Sequence, residues 1–202
     1  MKGFGEKHEN PKKKKSNSNE QTIKDQILSK AFKQHYEGNL QEAKKYYENF
    51  INKGFLDHRV FSNYGMILLN LGEFKKAEIF TRKAIELNPN YAMAYSNLGG
   101  ILKHLGKLQE AEIFTRKAIE LNPHDAIAHS NLGGILNDHG KLKEAELSQR
   151  KAIELKPNFA DAHYSMGNIL RDLGKLEEAE LSQRKAIELK PNFADAHYSM
   201  GN

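Results

Sequence analysis

Three asparagines recur at a constant spacing along the sequence and have the chemistry to bind a polypeptide backbone. These are Asn63, Asn97 and Asn131, which are spaced 34 residues apart. An amide side chain both donates and accepts hydrogen bonds, so a row of amides could hold an extended peptide with little dependence on its sequence. The alternative is that these amides are solvated or bonded locally. The equivalent later positions are Ser165 and Ser199, so the row ends there.

A second set of polar residues has the chemistry to bind an anion. Lys103, Asn137 and Arg171 repeat at the same interval as the asparagines, and Tyr164 and Asn168 are close in sequence to the last of them. Cationic groups and amide donors suit a carboxylate. We therefore treat these five side chains, together with the three asparagines, as candidate contacts for a protein or peptide partner.

Histidines at this interval raise the question of a metal site. The same spacing of 34 residues relates His129, His163 and His197 to one another, and it places Tyr95 and Phe61 at the two earlier positions of the series. Neighbouring repeats would hold them well apart, whereas the ligands of one zinc ion each lie about 2.0–2.1 Å from it. A packing role is therefore favoured over metal binding.

Signatures of catalysis are missing from the sequence. It contains no Cys, which excludes disulfides, thiolate zinc sites and cysteine nucleophiles. It also contains no Gly-rich phosphate loop, HExxH or GxSxG pattern. The sequence therefore predicts no enzyme activity, no metal and no cofactor.

All of these residues belong to one repeated element. The copy at residues 92–125 reads AMAYSNLGGILKHLGKLQEAEIFTRKAIELNPHD, and residues 146–168 recur letter for letter at residues 180–202. A period of about 34 residues is typical of stacked helical repeats. Apolar residues at steps of three and four predict two helices in the copy, at residues 92–105 and 108–121.

Small and turn-forming residues indicate how the two helices meet. Gly106 suits the positive φ that ends a first helix, and Pro123 stops the second. Gly99 and Ala111 lack bulk, so the paired backbones can approach closely there. The expected apolar face of the second helix consists of Leu108, Ala111, Phe114, Ala118 and Leu121.

The repeat sets the expected organisation of the chain. Residues 1–22 carry six Lys against three Glu, hence +3 of the total net charge of +5. They contain almost nothing apolar, so we expect a disordered tail whose four lysines at residues 12–15 mainly aid solubility. Contact with nucleic acid or membrane is expected only through this tail. We expect a degenerate first copy at 23–57, clear copies at 58–91, 92–125, 126–159 and 160–193, and a partial copy or capping helix at 194–202.

The copy at residues 92–125 resembles the tetratricopeptide repeat (TPR). The residues that carry the resemblance are Tyr95, Leu98, Gly99, Leu102, Gly106, Ala111, Phe114 (one place before the usual aromatic), Ala118 and Pro123. Ser148 and Ser182 replace the aromatic in later copies. The resemblance implies an all-α fold, a right-handed α-solenoid of antiparallel helix pairs. The first helix of each pair would line a concave groove that binds peptides or partner proteins.

Two known TPR binding modes are similar to the candidate contacts. The asparagine row looks like the asparagine ladder in the TPR superhelix of O-linked N-acetylglucosamine transferases. The set with Lys103, Asn137 and Arg171 only partly matches the TPR clamps that hold a C-terminal carboxylate, because Gly100 and Gly134 stand where such clamps usually offer Asn or Lys.

The leading hypothesis is a non-catalytic scaffold that binds a protein or peptide through this groove. The alternative is a recruiting module of a longer glycosyl-, sulfo- or methyltransferase whose catalytic domain lies beyond residue 202. The sequence shows neither a secretory signal nor a run of about 18 apolar residues that would span a membrane. A cytoplasmic location is the expectation.

Overall fold

The chain folds into helices connected by short turns. A computed structural model describes residues 11–191, with side chains from residue 19 onward. Its contacts divide the chain into two compact units, Met1–Val60 and Phe61–Asn202, with the third helix crossing the boundary. Within the described residues the helices are α1 (Pro11–Tyr36), α2 (Leu40–Asn52), α3 (His58–Asn70), α4 (Phe74–Leu87), α5 (Ala92–His104), α6 (Leu108–Leu121), α7 (Ala126–Asp138), α8 (Leu142–Leu155), α9 (Ala160–Asp172) and α10 (Leu176–Leu189).

The first helix begins earlier than the sequence pattern suggests. α1 starts at Pro11, so residues 11–22 are helical where a disordered tail was expected. The fixed φ of proline suits a first helical turn, and the lysines that follow have good helix propensity. Residues 1–10 and 192–202, which include the expected partial copy at 194–202, lie outside the described residues. The division into tail and repeats otherwise stays a prediction.

Aromatic contacts hold the first unit together. Tyr47 and Phe50 of α2 are fully buried. The ring of Tyr47 meets Phe32 of α1 edge to face, with centroids 6.2 Å apart. Its hydroxyl lies 3.0 Å from His35 Nδ1, and burial lowers the pKa of His35. The contacts of Tyr47 therefore join α2 to α1.

Helix pairs stacked in chain order build the second unit. Each of α5, α7 and α9 packs against the helix that follows it, and the first helices of neighbouring pairs also touch, α5 with α7 and α7 with α9. α6 spans the residues expected for it, and α5 ends one residue early at His104. Gly106 has a φ of +72°, as the turn requires. The all-α fold of stacked helix pairs is confirmed.

The close approach within a pair is confirmed, with a change of partner. A Cβ on Gly99 would overlap Thr115 Oγ1 and lie 3.3 Å from the Ala111 backbone oxygen. Thr115 is fully buried and Phe114 only half-buried. The fully buried residues of α6 are Ala111, Thr115 and Ala118. Phe114 packs against the core from the edge of this face, as expected, and the expected face missed Thr115.

Ion pairs connect neighbouring helix pairs. Glu112 on α6 accepts from Arg116 one turn later, with the charged atoms 2.9 Å apart. Lys141, on the turn before α8, also reaches Glu112 at 2.9 Å. Arg116 in turn contacts Glu144 of α8 at 3.0 Å. The same arrangement links α4 to α6 and α8 to α10 through equivalent residues.

Candidate functional site

A concave pocket runs along the first helices of the second unit. Its volume is about 680 Å³, within the range of roughly 300–1,000 Å³ usual for ligand sites. Four first helices, α3, α5, α7 and α9, contribute to its walls. The lining residues are Asn70, Gly100, Lys103, His104, Ile127, Ser130, Asn131, Gly134, Phe159, Asp161 and Ser165. We call this pocket the groove.

The asparagine row connects consecutive first helices. Asn97 Nδ2 on α5 donates to Ser62 Oγ on α3 at 3.0 Å. Asn131 Nδ2 on α7 donates to Ser96 Oγ on α5 at 3.2 Å. Asn63 is half-buried on α3. The amide donors of Asn97 and Asn131 therefore serve the packing of neighbouring repeats.

The row ends where two short side chains face the groove. Ser165 of α9 holds the position of Asn131, and Ser130 of α7 also lines the groove. A serine side chain is shorter than an asparagine side chain and has one hydroxyl in place of the amide. At this level the groove wall therefore consists of two serine side chains instead of an amide-to-serine link.

Lys103 lines the groove and reaches from α5 to α7. Its ammonium is 3.4 Å from Asp138 Oδ2 of α7. A Cβ placed on Gly134 would lie 2.9 Å from that ammonium, so the lysine rests against the α7 backbone where no side chain intervenes. The absence of a side chain at Gly134 thus lets Lys103 bridge two first helices.

The other candidate contacts differ in exposure. Tyr164 and Asn168 are half-buried and Arg171 is exposed on α9. Asn168 Oδ1 accepts from Gln183 Nε2 of α10 at 3.4 Å. Asn137 Oδ1 is buried and, among the described residues, has no hydrogen-bond partner. Lys103 and Asn131 line the groove itself, and a binding role for each of the eight residues stays a prediction.

Sequence reasoning missed several groove residues. Ile127 and Phe159 add apolar surface, and Asp161 adds a negative charge. Gly100 leaves open space, since a Cβ there would meet nothing within 4 Å. The glycine pair at residues 99–100 carried a usable signal: Gly99 faces the second helix, so its neighbour, about 100° further around the helix, has to face away from it.

Comparison with known families gives the classification. Residues 28–137, more than half of the chain, match the model described as the cilia and flagella-associated protein 70 middle TPR-like domain. Tetratricopeptide repeat models match residues 126–159, 149–180 and 167–202. The chain belongs to the tetratricopeptide repeat family. Among curated protein sequences, none matches it significantly.

Solved TPR structures share the fold. TTC0263, a thermophilic TPR protein of Thermus thermophilus, is similar with a TM-score of 0.74 and 20% identity over 87% of this chain and 96% of that one. MamA from Desulfovibrio magneticus RS-1 has a TM-score of 0.67 and 22% identity, covering 84% and 96%. YrrB, a TPR protein with an unusual peptide-binding site, has a TM-score of 0.65 and 22% identity, covering 93% and 97%. The chain has the all-α TPR superhelix fold.

A TPR carboxylate clamp finds little support in the groove. The charge of Lys103 is paired with Asp138, and Asp161 adds a negative charge to the lining of the groove. Gly100 and Gly134 supply no side-chain donors. A clamp needs an excess of cationic and amide donors facing the anion, and the residues that line this groove do not provide that excess.

The repeated histidines of the TPR array bond to nearby backbone. His129 Nε2 lies 3.0 Å from the Pro123 carbonyl oxygen, and His163 Nε2 lies 2.9 Å from that of Pro157. His197 lies outside the described residues. Where the structure describes the chain, no group of three or more His, Asp or Glu is placed to hold a metal ion.

The family and fold give a general functional class. TPR proteins bind protein or peptide partners, and arrays made only of TPRs are typically interaction scaffolds. No helix in the described part of the chain has both the length and the apolar character needed to cross a membrane. The cytoplasmic location stays a prediction.

Proposed function

We propose that this TPR array is a non-catalytic scaffold that binds an extended peptide segment of a partner protein in the groove. The observation that carries the proposal is the groove itself. It is concave, lined by four successive first helices, and combines hydroxyl and amide groups with two apolar side chains. Such a mixture suits a peptide, whose backbone needs hydrogen bonds and whose side chains need apolar contacts.

The glycines of the groove favour a main-chain ligand. Gly100 and Gly134 bring helix surface without side chains to the pocket, so a peptide backbone can approach closely. Ser130 and Ser165 supply hydroxyls that donate and accept. Ile127 and Phe159 would contact an apolar side chain of the peptide. Asp161, which also lines the groove, would favour a basic residue of the peptide nearby.

The test compares two substitutions at one position. Gly100→Leu fills the groove, while Gly100→Ala leaves it largely open. A Cβ at this position meets nothing within 4 Å, so neither substitution forces a contact next to the backbone, and circular dichroism checks that both variants are folded. Dodecapeptides are first selected on the wild-type chain from a phage-displayed random library, then synthesised and measured by calorimetry.

We expect Gly100→Leu to weaken binding of the selected peptides at least about tenfold, and Gly100→Ala to change it less than about threefold. Equal affinity of all three proteins for every selected peptide would contradict the proposal. A library that yields no binder at all would do so too. The alternative function, recruitment for a transferase domain of the same chain, uses the same groove and predicts the same result.

A further inference from the structure

A second pocket lies on the opposite side of the first helices from the groove, between two second helices. It has a volume of about 480 Å³ and is formed by α8, α9 and α10. Its apolar walls come from Ile153, Met166, Leu170 and Leu181, and Ser182 also lines it. Met166 and Leu170 are buried, at 4% and 2% exposure, whereas Leu181 is 68% exposed. The pocket therefore opens from solvent onto the core; we call it the Ser182 pocket.

Earlier copies of the repeat fill the same place with an aromatic ring. Phe114 holds the position of Ser182 two repeats earlier in the chain. Its ring lies 6.1 Å from that of Tyr95 and packs against the cluster of Leu98, Leu102, Ala111 and Ile135. Phe80 makes the equivalent contact with Phe61, also at 6.1 Å. In these copies the chain supplies its own ring.

The later copy keeps the apolar surroundings but lacks the ring. Met166, Leu170 and Ala179 form a cluster with Ile153 packed against it. Ile153 corresponds to Ile85, which packs beside Phe114 in the earlier cluster. His163 takes the place of Tyr95. Serine and histidine thus replace two aromatic side chains, while Met166, Leu170, Ala179 and Ile153 hold the places of Leu98, Leu102, Ala111 and Ile85.

A cation lies at the opening of the pocket. In the earlier copy the Arg82 guanidinium lies 5.1 Å from the centroid of the Phe114 ring, a cation–π contact. The equivalent residue at the Ser182 pocket is Arg150, which lines it and is held 3.4 Å from Glu178. An aromatic ring bound in the pocket would meet Arg150 in the way that the Phe114 ring meets Arg82.

From these contacts we infer that the Ser182 pocket is a second binding site, which takes an aromatic side chain from a polypeptide partner. The ring would take the place that is equivalent to that of the Phe114 ring in the earlier copy, next to Ile153, Met166 and Arg150. A polypeptide fits better than a small aromatic molecule because apolar side chains continue along the same face at one per repeat. These are Ile79, Ile113, Leu147 and Leu181, all between 65% and 68% exposed.

This site is independent of the groove. The groove is lined by first helices, whereas the Ser182 pocket opens between second helices and takes residues from α8 and α10. A scaffold with both sites could hold two different segments at once. Each site therefore needs its own variants.

The first measurement uses amino-acid derivatives as probes. The protein is labelled on its methionine methyl groups, of which there are five, and titrated with N-acetyl-phenylalaninamide or N-acetyl-leucinamide. We expect the phenylalanine derivative to shift the NMR signal of Met166 saturably and the leucine derivative to shift it far less. The exposed Met93 serves as the internal control. No shift at Met166, or equal shifts with both probes, would overturn the inference.

The second measurement fills the pocket. Ser182→Phe restores the ring of the earlier copies, while Ser182→Ala keeps the pocket empty. We expect Phe-containing peptides selected on the wild-type chain to bind Ser182→Phe at least about tenfold more weakly than Ser182→Ala, with groove peptides unaffected. Ser182→Leu replaces Ser182→Phe if circular dichroism shows that the latter is unfolded. Equal binding by filled and empty variants would overturn the inference.

The oligomeric state separates a partner from self-association. Sedimentation velocity is run on the wild-type chain and on the filled variant. We expect the same state for both. If the wild-type chain forms an oligomer and the Ser182→Phe variant is a monomer, a second copy of the chain occupies the pocket. That result would overturn the assignment to a separate partner.

Discussion

Lys175 reaches back across a helix-pair boundary to Glu146, with its Nζ 2.9 Å from the carboxylate Oε1. Glu146 also accepts from Arg150 at 2.6 Å, and its side chain is only 11% exposed. The contact therefore couples a turn of one repeat to the second helix of the preceding repeat. Burial separates it from ordinary surface ion pairs, which contribute little to stability.

Removing this carboxylate charge should destabilise the array measurably. We expect Glu146→Gln to lower the free energy of unfolding by about 1–2 kcal/mol, because two charge-assisted hydrogen bonds are weakened. Glu180→Gln is the matched control, since Glu180 holds the same repeat position but is 56% exposed; its effect should stay below about 0.5 kcal/mol. Urea denaturation followed by circular dichroism measures both, and equal losses would contradict the proposed coupling.

The same carboxylates predict how stability depends on pH. For Glu146, bonds from Arg150 and Lys175 lower the pKa below its usual value. For Glu112, burial acts to raise the pKa, but bonds from Lys141 and Arg116 outweigh it and the pKa is again lowered. A lowered folded-state pKa adds stability that is full above the unfolded value of 4.5 and is lost as pH falls through the folded value.

The melting temperature should therefore decrease as pH falls from about 6 to about 3. In Glu146→Gln the decrease should be smaller, because one of the responsible carboxylates is gone. The melting temperature at a series of pH values checks this. An unchanged pH slope in the variant would show that Glu146 does not contribute to the acid sensitivity.

Adjacent glycines in α5 should respond in opposite ways to alanine. Gly99→Ala places a methyl group against Thr115 Oγ1 and 3.3 Å from the Ala111 backbone oxygen, so we expect a loss of about 1–3 kcal/mol. Gly100→Ala meets open space and should gain about 0.5–1 kcal/mol from helix propensity. Chemical denaturation of both variants tests the pair.

A double variant identifies the source of the overlap. Thr115→Ala in the Gly99→Ala background should recover part of the lost stability, because the nearest atom is removed while the Ala111 oxygen remains. If the double variant is as unstable as the sum of both single changes, the threonine is not the limiting contact.

The asparagine row can be shortened by a substitution that the chain itself displays. Asn131→Ser reproduces the residue at position 165 and removes the bond to Ser96 Oγ. We expect a loss of about 0.5–1.5 kcal/mol in unfolding free energy, measured by urea titration. Ser130→Ala, on the same helix, serves as the control and should change stability less. A neutral Asn131→Ser would show that the row does not stabilise repeat packing.

The helices were predictable because their boundaries depend on local chemistry. Gly106 and the apolar steps of α5 and α6 specify a helix, a turn and a second helix within a single copy. The early start of α1 at Pro11 was not predicted, because the segment has no apolar pattern and only backbone propensity favours a helix there.

The buried residue opposite Gly99 was missed because side-chain type was used to set the register. Phe114 is the more apolar residue, yet Thr115, the next residue along α6, is the one that faces Gly99. Gln149 and Gln183 hold the same position later and are also buried. Counting from the glycine, instead of looking for an aromatic, would have found all of them.

Contacts between repeats were the hardest to predict. Asn131 and Lys103 were identified as groove residues from their spacing, but their partners Ser96 and Asp138 belong to other repeats. The distance between two first helices is set by how all the side chains between them pack, and a single copy of the sequence carries no direct record of it.

The backward reach of Lys107, Lys141 and Lys175 has a consequence for how such a chain can grow. Each lysine meets the same kind of acceptor, Glu78, Glu112 or Glu146, at 2.9 Å. A newly duplicated gene segment encoding one such unit would therefore meet matching ionic neighbours at both junctions. Duplication or loss of whole repeats could thus lengthen or shorten the protein without further substitutions at the contacts between repeats.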